Sequence, residues 1–559
     1  MFDPDSAARA AELDKNRAGY LYGPSLIGNS SFFLTGQLGD QLVQSEVDLW
    51  NQDAAPVRAA IQAEATPVLQ SVGVAGGLKD LSGYERLYEN QWKTANPDGV
   101  DPGILTNYTQ DLLFSMERLS NNPFPIKRLH PQNDTLPFEI EDDIVQNLTT
   151  VSLASLHAAG RLFVVDHSYQ ANYAGIEGRF TAACTAYFFI DPVSGDLLPL
   201  AIKTNVGSDL IYTPLDADQD WLLAKIMFNV NDLFHGQILH LANSHAVAEI
   251  VHEAALRTMS AKHPVRAYLD NIMYQAYAIR PVGSQILFNP GGLFDHNFAL
   301  SNVAVKQFVA DFYPTVAGPF QANYLQRSLV DRGLINCSYG PDLAHFPFAE
   351  DAGTIVEALR AFATSFVHAY YPNDHDLSQD GELQSWVSEA SSAAKVIDFP
   401  ASPLIYRETL IDILTHLAYL TGVNHHTLNS ATPSASSGVL PFHPMALYQP
   451  IPTAKGVESV LPYLPNLSAS INQTTLLLGF IRPQLFNSAR DLENMFDNSG
   501  FLAGASAVVK RAASSLQDRL MSISQMIQAR SFDANGLSQG MPFLWRNLDP
   551  SRLPFFLSV

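Results

Sequence analysis

Apolar residues recur with a helical period along much of the chain. Residues 36–70 set Leu38, Leu42, Val47 and Leu49 among polar neighbours, which predicts an amphipathic helix. Residues 218–262 hold the pattern without a proline and predict one long helix. A second long helix is expected over 353–371, closed by Pro372, and a third over 403–429, ending in the Ser/Pro/Ala-rich stretch 430–437. A fourth is expected over 502–530, and a short one over 6–16 after Asp3-Pro4-Asp5. Strand character is confined to 161–166 and 185–202, the latter folding back across Pro192–Asp196. Residues 93–150, rich in Asn, Pro and Asp, read mostly as loop. No repeat or interdomain linker interrupts the pattern. The expected architecture is mainly α, one unit over residues 1–559, with a small β element in the N-terminal part.

Composition narrows the partners. Apolar residues make up 47% and charged residues 16% of 559, the profile of a globular protein with ample core. The formal net charge of −22 repels phosphate backbones, so a nucleic-acid partner is not expected. No apolar run is long enough to cross a bilayer. Two cysteines, Cys184 and Cys337, allow one disulfide at most and no cysteine zinc site. The N-terminus is acidic and lacks a leader pattern, so a cytoplasmic protein is expected; a monomer is expected as well. Sequons at Asn29, Asn107, Asn133, Asn147, Asn336, Asn466 and Asn472 would matter for the alternative, a secreted protein whose leader has been removed.

Three segments carry candidate chemistry. Trp221 to Pro264 places His235, His240, His245, Glu249 and His252 on one expected helix. A spacing of five leaves His240 and His245 off a common α-helical face, whereas one π-type turn would bring them together. The pair is therefore either ordinary or the mark of a deformed metal-binding helix. In the second segment, His425 and Asn429 share a face at i, i+4. The competing His426 pairs at that spacing with Ser430, a poorer ligand. The third segment is the chain end, Leu553 to Val559, apolar to its last residue. Such an end predicts docking in the interior, and a buried carboxylate needs a partner such as a metal. A zinc hydrolase is disfavoured, because His252-Glu253 is followed by Leu256 where a second His would stand. A non-catalytic lipid carrier remains the rival without chemistry.

The Trp221–Pro264 segment resembles the lipoxygenase signature: Trp-Leu-Leu-Ala-Lys, His-x4-His, Ala-x-x-Glu and an Arg-x-Met-Ser-x-x-His-Pro close. Residues 346–389 are similar to that family too, with Phe346-Pro347-Phe348-Ala349-Glu350-Asp351, Tyr370-Tyr371-Pro372 and Asp380-Gly381-Glu382-Leu383-Gln384-Ser385-Trp386. So is the end, where Pro554 precedes a terminal branched residue by five positions. The matches run in order from Trp221 to Val559. The resemblance implies a large helical catalytic domain of the short, fungal-type kind, without an N-terminal lipid-associating β-barrel. It implies that His240, His245, His425, Asn429 and the Val559 carboxylate hold one non-haem metal, iron in first place and manganese as the alternative. Imidazole and oxygen ligands suit either.

The implied activity is oxygenation of polyunsaturated fatty acids such as linoleic acid. The metal-bound hydroxide removes a hydrogen atom from the bis-allylic carbon, and O2 adds to give a hydroperoxide; the alternative is a member that rearranges hydroperoxides. Gly283-Ser284-Gln285-Ile286-Leu287-Phe288-Asn289 resembles the family's pocket stretch, which implies a product-selecting place for Gly283 and chain-lining places for Leu287 and Phe288. His235 and Glu249 are implied as groups that position the ligands. The sequence departs from the family at Gly236, where many members have Gln, and at Ser430-Ala431-Thr432, where many have Phe-Gly-Gln. The hydrogen bonds around the metal are therefore expected to be rebuilt.

Overall fold

A computed structural model of the chain describes residues 6–24, 33–429, 438–479, 490–497 and 500–557. The principal helices are α1 (Ser6–Gly19), α2 (Gly36–Val74), α3 (Asp218–His240), α4 (Ala246–Thr258), α5 (Pro264–Ile272), α6 (Ile279–Ile286), α7 (Pro347–Tyr370), α8 (Gly381–Ser391), α9 (Arg407–Tyr419), α10 (His425–Leu428), α11 (Leu467–Leu478) and α12 (Ala507–Gln528). Among the described residues the sheets are small. β1 (Leu21–Gly23) pairs antiparallel with β2 (Phe33–Thr35). A five-stranded antiparallel sheet runs in sequence order through β3 (Lys127–Arg128), β4 (Leu162–Asp166), β5 (Thr185–Ile190), β6 (Leu197–Lys203) and β7 (Ile211–Tyr212). The mainly α expectation holds.

Burial explains the sequence pattern. Every described residue of α3 from Asp220 to His240 is buried, so this helix lies inside the protein instead of presenting one apolar stripe to it. One contiguous core joins α3 and α4 to α7, α9 and α12 and to one face of the sheet. A smaller cluster, with Leu129, Leu153, Val164 and Tyr187, fills the other face. α2 is longer than expected and carries Pro56 and Pro67 within it. Its buried stripe of Trp50, Ala54, Val57, Ile61, Val68 and Val72 holds it against the body.

Residues 93–150 differ from the expected loop. They contain short helices at Ile104–Asn107, Asp111–Met116 and Asp142–Thr149. These are too brief to show a period, and buried residues such as Leu113, Phe114 and Met116 stabilise them through tertiary contact. The two cysteines are not joined: Cys184 is buried and unbonded, as is the half-buried Cys337. The stretch 430–437 lies outside the described residues. No described helix is long and apolar enough to cross a membrane.

Candidate metal centre

The expected helix 218–262 is broken by one extra residue. α3 passes into a π turn at Leu241–His245 before α4 begins. The wider turn swings His245 back toward His240, leaving their ring centroids 5.9 Å apart. The third helix repeats the device: α9 runs into a π turn at Leu420–Asn424, and α10 opens with His425. The His425 ring lies 5.1 Å from that of His240 and 4.7 Å from that of His245. One nitrogen from each of the three buried imidazoles lies within 4.8 Å of the others.

The two π turns are fastened to one another by side chains. Asn424 donates through Nδ2 to Asn243 Oδ1 at 3.0 Å and to Ser244 Oγ at 2.7 Å. Its own Oδ1 accepts from the Tyr419 hydroxyl at 3.1 Å. All these groups are buried, so the bonds fix the register of the two histidine-bearing segments in a low-dielectric setting.

His245 Nε2 and His425 Nε2 approach to 2.9 Å. Behind His245, Glu249 Oε1 stands 3.4 Å from Nδ1. The other Glu249 oxygen accepts from Arg280 Nε on α6. His426 is turned away, its Nε2 against the Phe556 carbonyl at 3.0 Å, which leaves His425 as the imidazole facing the cluster. Burial first, and the neighbouring His245 second, hold His240 well below the usual histidine range, so its ring is neutral and free to donate a lone pair. Asn429 is 1% exposed, and neither of its side-chain polar atoms has a hydrogen-bond partner.

His235 lies apart. Its Nδ1 meets the Tyr169 hydroxyl at 2.9 Å, its ring lies 5.1 Å from that of His167, and Phe308 and Phe312 pack on it. Burial and then the His167 charge push its pKa down to about 3. None of its described contacts reaches the three-histidine cluster. His252 and His263 are held structurally, by Tyr277 and Asp270 and by Asp380 respectively.

Beside His240 and Asn429 a narrow slot opens, walled by Ile238, Leu241, Ile279, Leu287, Phe288 and Leu476. Leu287 and Phe288, expected from the resemblance to line the fatty chain, are among the walls of this slot. Gly283 backs the wall: a β-carbon there would stand 3.4 Å from the Phe288 ring. Gln237 also borders the slot and donates to the Leu428 carbonyl at 3.0 Å, one residue before Asn429. At Gly236, where many family members have Gln, a β-carbon would stand 3.5 Å from the Asn122 amide nitrogen.

The lipoxygenase family model matches residues 120–493. A manganese lipoxygenase of Fusarium oxysporum is 54% identical across the whole chain and 92% of its own length. The chain belongs to the lipoxygenase family. A manganese lipoxygenase of Pyricularia oryzae is 51% identical, again across the whole chain and over 90% of its own length. A solved manganese lipoxygenase superposes with a TM-score of 0.98 at 51% identity, covering 100% of this chain and 99% of that one. That of Gaeumannomyces graminis gives 0.97 at 49% identity over the same shares. A coral 8R-lipoxygenase, at 23% identity and a TM-score of 0.80, shares the fold. This lipoxygenase is a fatty-acid dioxygenase of the fungal type. The first-place expectation of iron is not confirmed: these full-length relatives are named for manganese.

The residues present fit a resident metal. Three buried imidazoles converge in the interior, and the Asn429 amide lies buried beside them without a partner. An orphaned polar atom in the core is costly unless something bonds it, and a cation centred among these donors would. The chain end approaches the same region. Phe556 and Leu557 are buried, and Asn547 donates to the Thr427 carbonyl at 3.2 Å. Val559 itself lies outside the described residues. Sequence reading missed Arg280, Gln237, Asn243, Ser244 and Asn424, since none of them carries a motif and each acts across a gap in sequence.

Proposed function

We propose that this lipoxygenase holds one manganese ion through His240, His245 and His425, with Asn429 and the Val559 carboxylate completing the set. The observation that carries this reading is the three-imidazole cluster, whose nitrogens lie within 4.8 Å of one another beside an unpartnered Asn429. The full-length relatives named for manganese support the choice of metal. When bound, the metal supplies the one-electron chemistry that takes a hydrogen atom from a bis-allylic carbon of the fatty acid.

The chain's own residues do the rest. Glu249, fixed by Arg280, stands 3.4 Å behind His245 Nδ1, on the side of the ring away from Nε2, and so backs the ring with Nε2 toward the centre. The clasp of Asn424 on Asn243 and Ser244 holds the His425 segment against the His245 segment. The slot walled by Ile279, Leu287 and Phe288 holds only about 30 Å³ as it stands, so the acyl chain enters as these side chains move apart, and the apolar walls then exclude water and set by shape the position at which O2 meets the pentadienyl radical. With a net charge of −22, the protein does not attract a fatty-acid anion from afar, and burial of the tail supplies the affinity.

The test is oxygen uptake together with conjugated-diene absorbance when the manganese-loaded protein meets linoleic acid. Both rise in step if the reading is right. A loaded protein that consumes hydroperoxide but neither O2 nor linoleate would replace it with the rearranging alternative.

A further inference from the structure

A second cavity, of about 760 Å³, opens on the far side of α9. Its volume is in the range of sites that enclose a small organic ligand. Leu325, Leu329, Ile335, Leu343, Phe346 and Val356 form its apolar walls. Three rings form its inner end: Tyr324, His416 and Tyr419. His416 is 4% exposed, and its Nε2 has no hydrogen-bond partner; the buried Tyr324 hydroxyl has none either. The two rings lie 4.9 Å apart, so a single ligand oxygen could reach both. Burial pushes the His416 pKa down to about 3, which leaves a neutral ring able to accept a proton donor's bond.

The rim is charged. Glu350, Glu357, Asp412, Arg360 and Arg327 line it. Arg360 is committed to Asp412 and, at 2.9 Å, to Glu408. Arg327 is exposed and, among the described residues, its ion pair is a long contact of 3.7 Å to Asp331, so it is the rim cation open to an incoming carboxylate. The inner end touches the metal centre's scaffold directly. Tyr419 lines the cavity and donates to Asn424, which bonds Asn243 and Ser244 in the other π turn.

We propose that this cavity is a second binding site, distinct from the slot beside His240, for an oxygenated acyl chain: a hydroxy or hydroperoxy fatty acid of the kind the enzyme releases. The carboxylate sits at Arg327, the chain lies along the apolar walls, and the mid-chain oxygen bonds Tyr324 and His416. The ligand class rests on the fatty-acid oxygenation proposed above, whereas the cavity and its unpartnered groups do not.

Gly353 gives a clean probe, because it lines the cavity and a β-carbon there meets nothing within 4 Å. Gly353→Phe fills the space with a ring, on a helix that loses a glycine. The measurement is calorimetric titration of manganese-loaded protein with a hydroxyoctadecadienoic acid. The wild type is expected to bind one molecule more per chain than Gly353→Phe, while both oxygenate linoleic acid alike in the absence of added hydroxy acid. Tyr324→Phe should weaken that extra site by about 3- to 10-fold, the effect of one lost hydrogen bond, and leave the other unchanged. Oleic acid, which has no hydroxyl, should be weaker at the extra site by a similar factor.

Equal stoichiometry in the wild type and Gly353→Phe would overturn the site. Oleic acid binding there as tightly as the hydroxy acid would overturn the ligand class. A wild type that binds the extra molecule yet never oxygenates linoleic acid would sink the enzymatic reading and leave the cavity standing.

Discussion

At the scale of single residues, the candidate histidines were legible through the family resemblance, and their spacing left room for it. A spacing of five from His240 to His245 is awkward on an α-helix and natural across a π turn, and the structure has that turn. The choice of His425 over His426 was also within reach, since Asn429 marks the face of the former. Arg280, Gln237 and Asn424 were not legible. Each acts on a partner far along the chain, and nothing in the local pattern distinguishes it from an ordinary surface or core polar residue. Gly283 gives the sharpest test at this scale. Its missing β-carbon would stand 3.4 Å from the ring of Phe288, an ordinary contact, so alanine fits without strain while narrowing the wall of the slot. Gly283→Ala should therefore keep its stability, with a gain of about 0.5–1 kcal/mol from helix propensity. It should also change the ratio of hydroperoxide positions or enantiomers, read by chiral chromatography of the reduced products. An unchanged profile would remove Gly283 from product control.

At the scale of elements, the long apolar helices were expected nearly where they lie, and the departures have physical causes. The expected span 218–262 is α3, a π turn and α4, the extra residue of the turn bringing the His245 ring round toward His240. The β1–β2 hairpin and α11 went unrecognised, being too short or too weakly periodic to stand out. The element α4 also carries a titration consequence. Glu253 is 1% exposed, its Oε1 lacks a partner, and burial raises its pKa to about 8 against the pull of Arg280 and Arg257. The folded protein thus keeps a proton on Glu253 that the unfolded chain releases at an ordinary carboxylate pKa. Stability from this group is complete at acidic pH and declines as pH rises from about 4.5 toward about 8. Glu253→Gln should flatten that part of the thermal-stability profile and raise Tm most above pH 8. A variant whose Tm falls with pH as steeply as the wild type would contradict the assignment.

At the scale of the whole molecule, fold class and family were legible because the diagnostic segments appear in order along most of the chain. What the sequence did not show is how the interior is assembled around them: a buried α3 and two π turns clasped together. The greasy terminus was read as docked, and burial through Leu557 agrees. Deleting Val559 displaces the terminal carboxylate while leaving Phe555, Phe556 and Leu557 packed. Activity should then fall at least as far as the roughly 100-fold typical of disturbed metal surroundings, with the circular-dichroism spectrum retained. Normal turnover by the shortened chain would show that the terminal carboxylate is not a ligand.

The most direct test of the account is elemental analysis of the purified wild-type chain beside His245→Ala. The account predicts about one manganese per wild-type chain and almost none in the variant, which loses one of three convergent imidazoles. A variant that retains the wild-type metal content would contradict the three-histidine centre, and iron in place of manganese in the wild type would contradict the proposed metal.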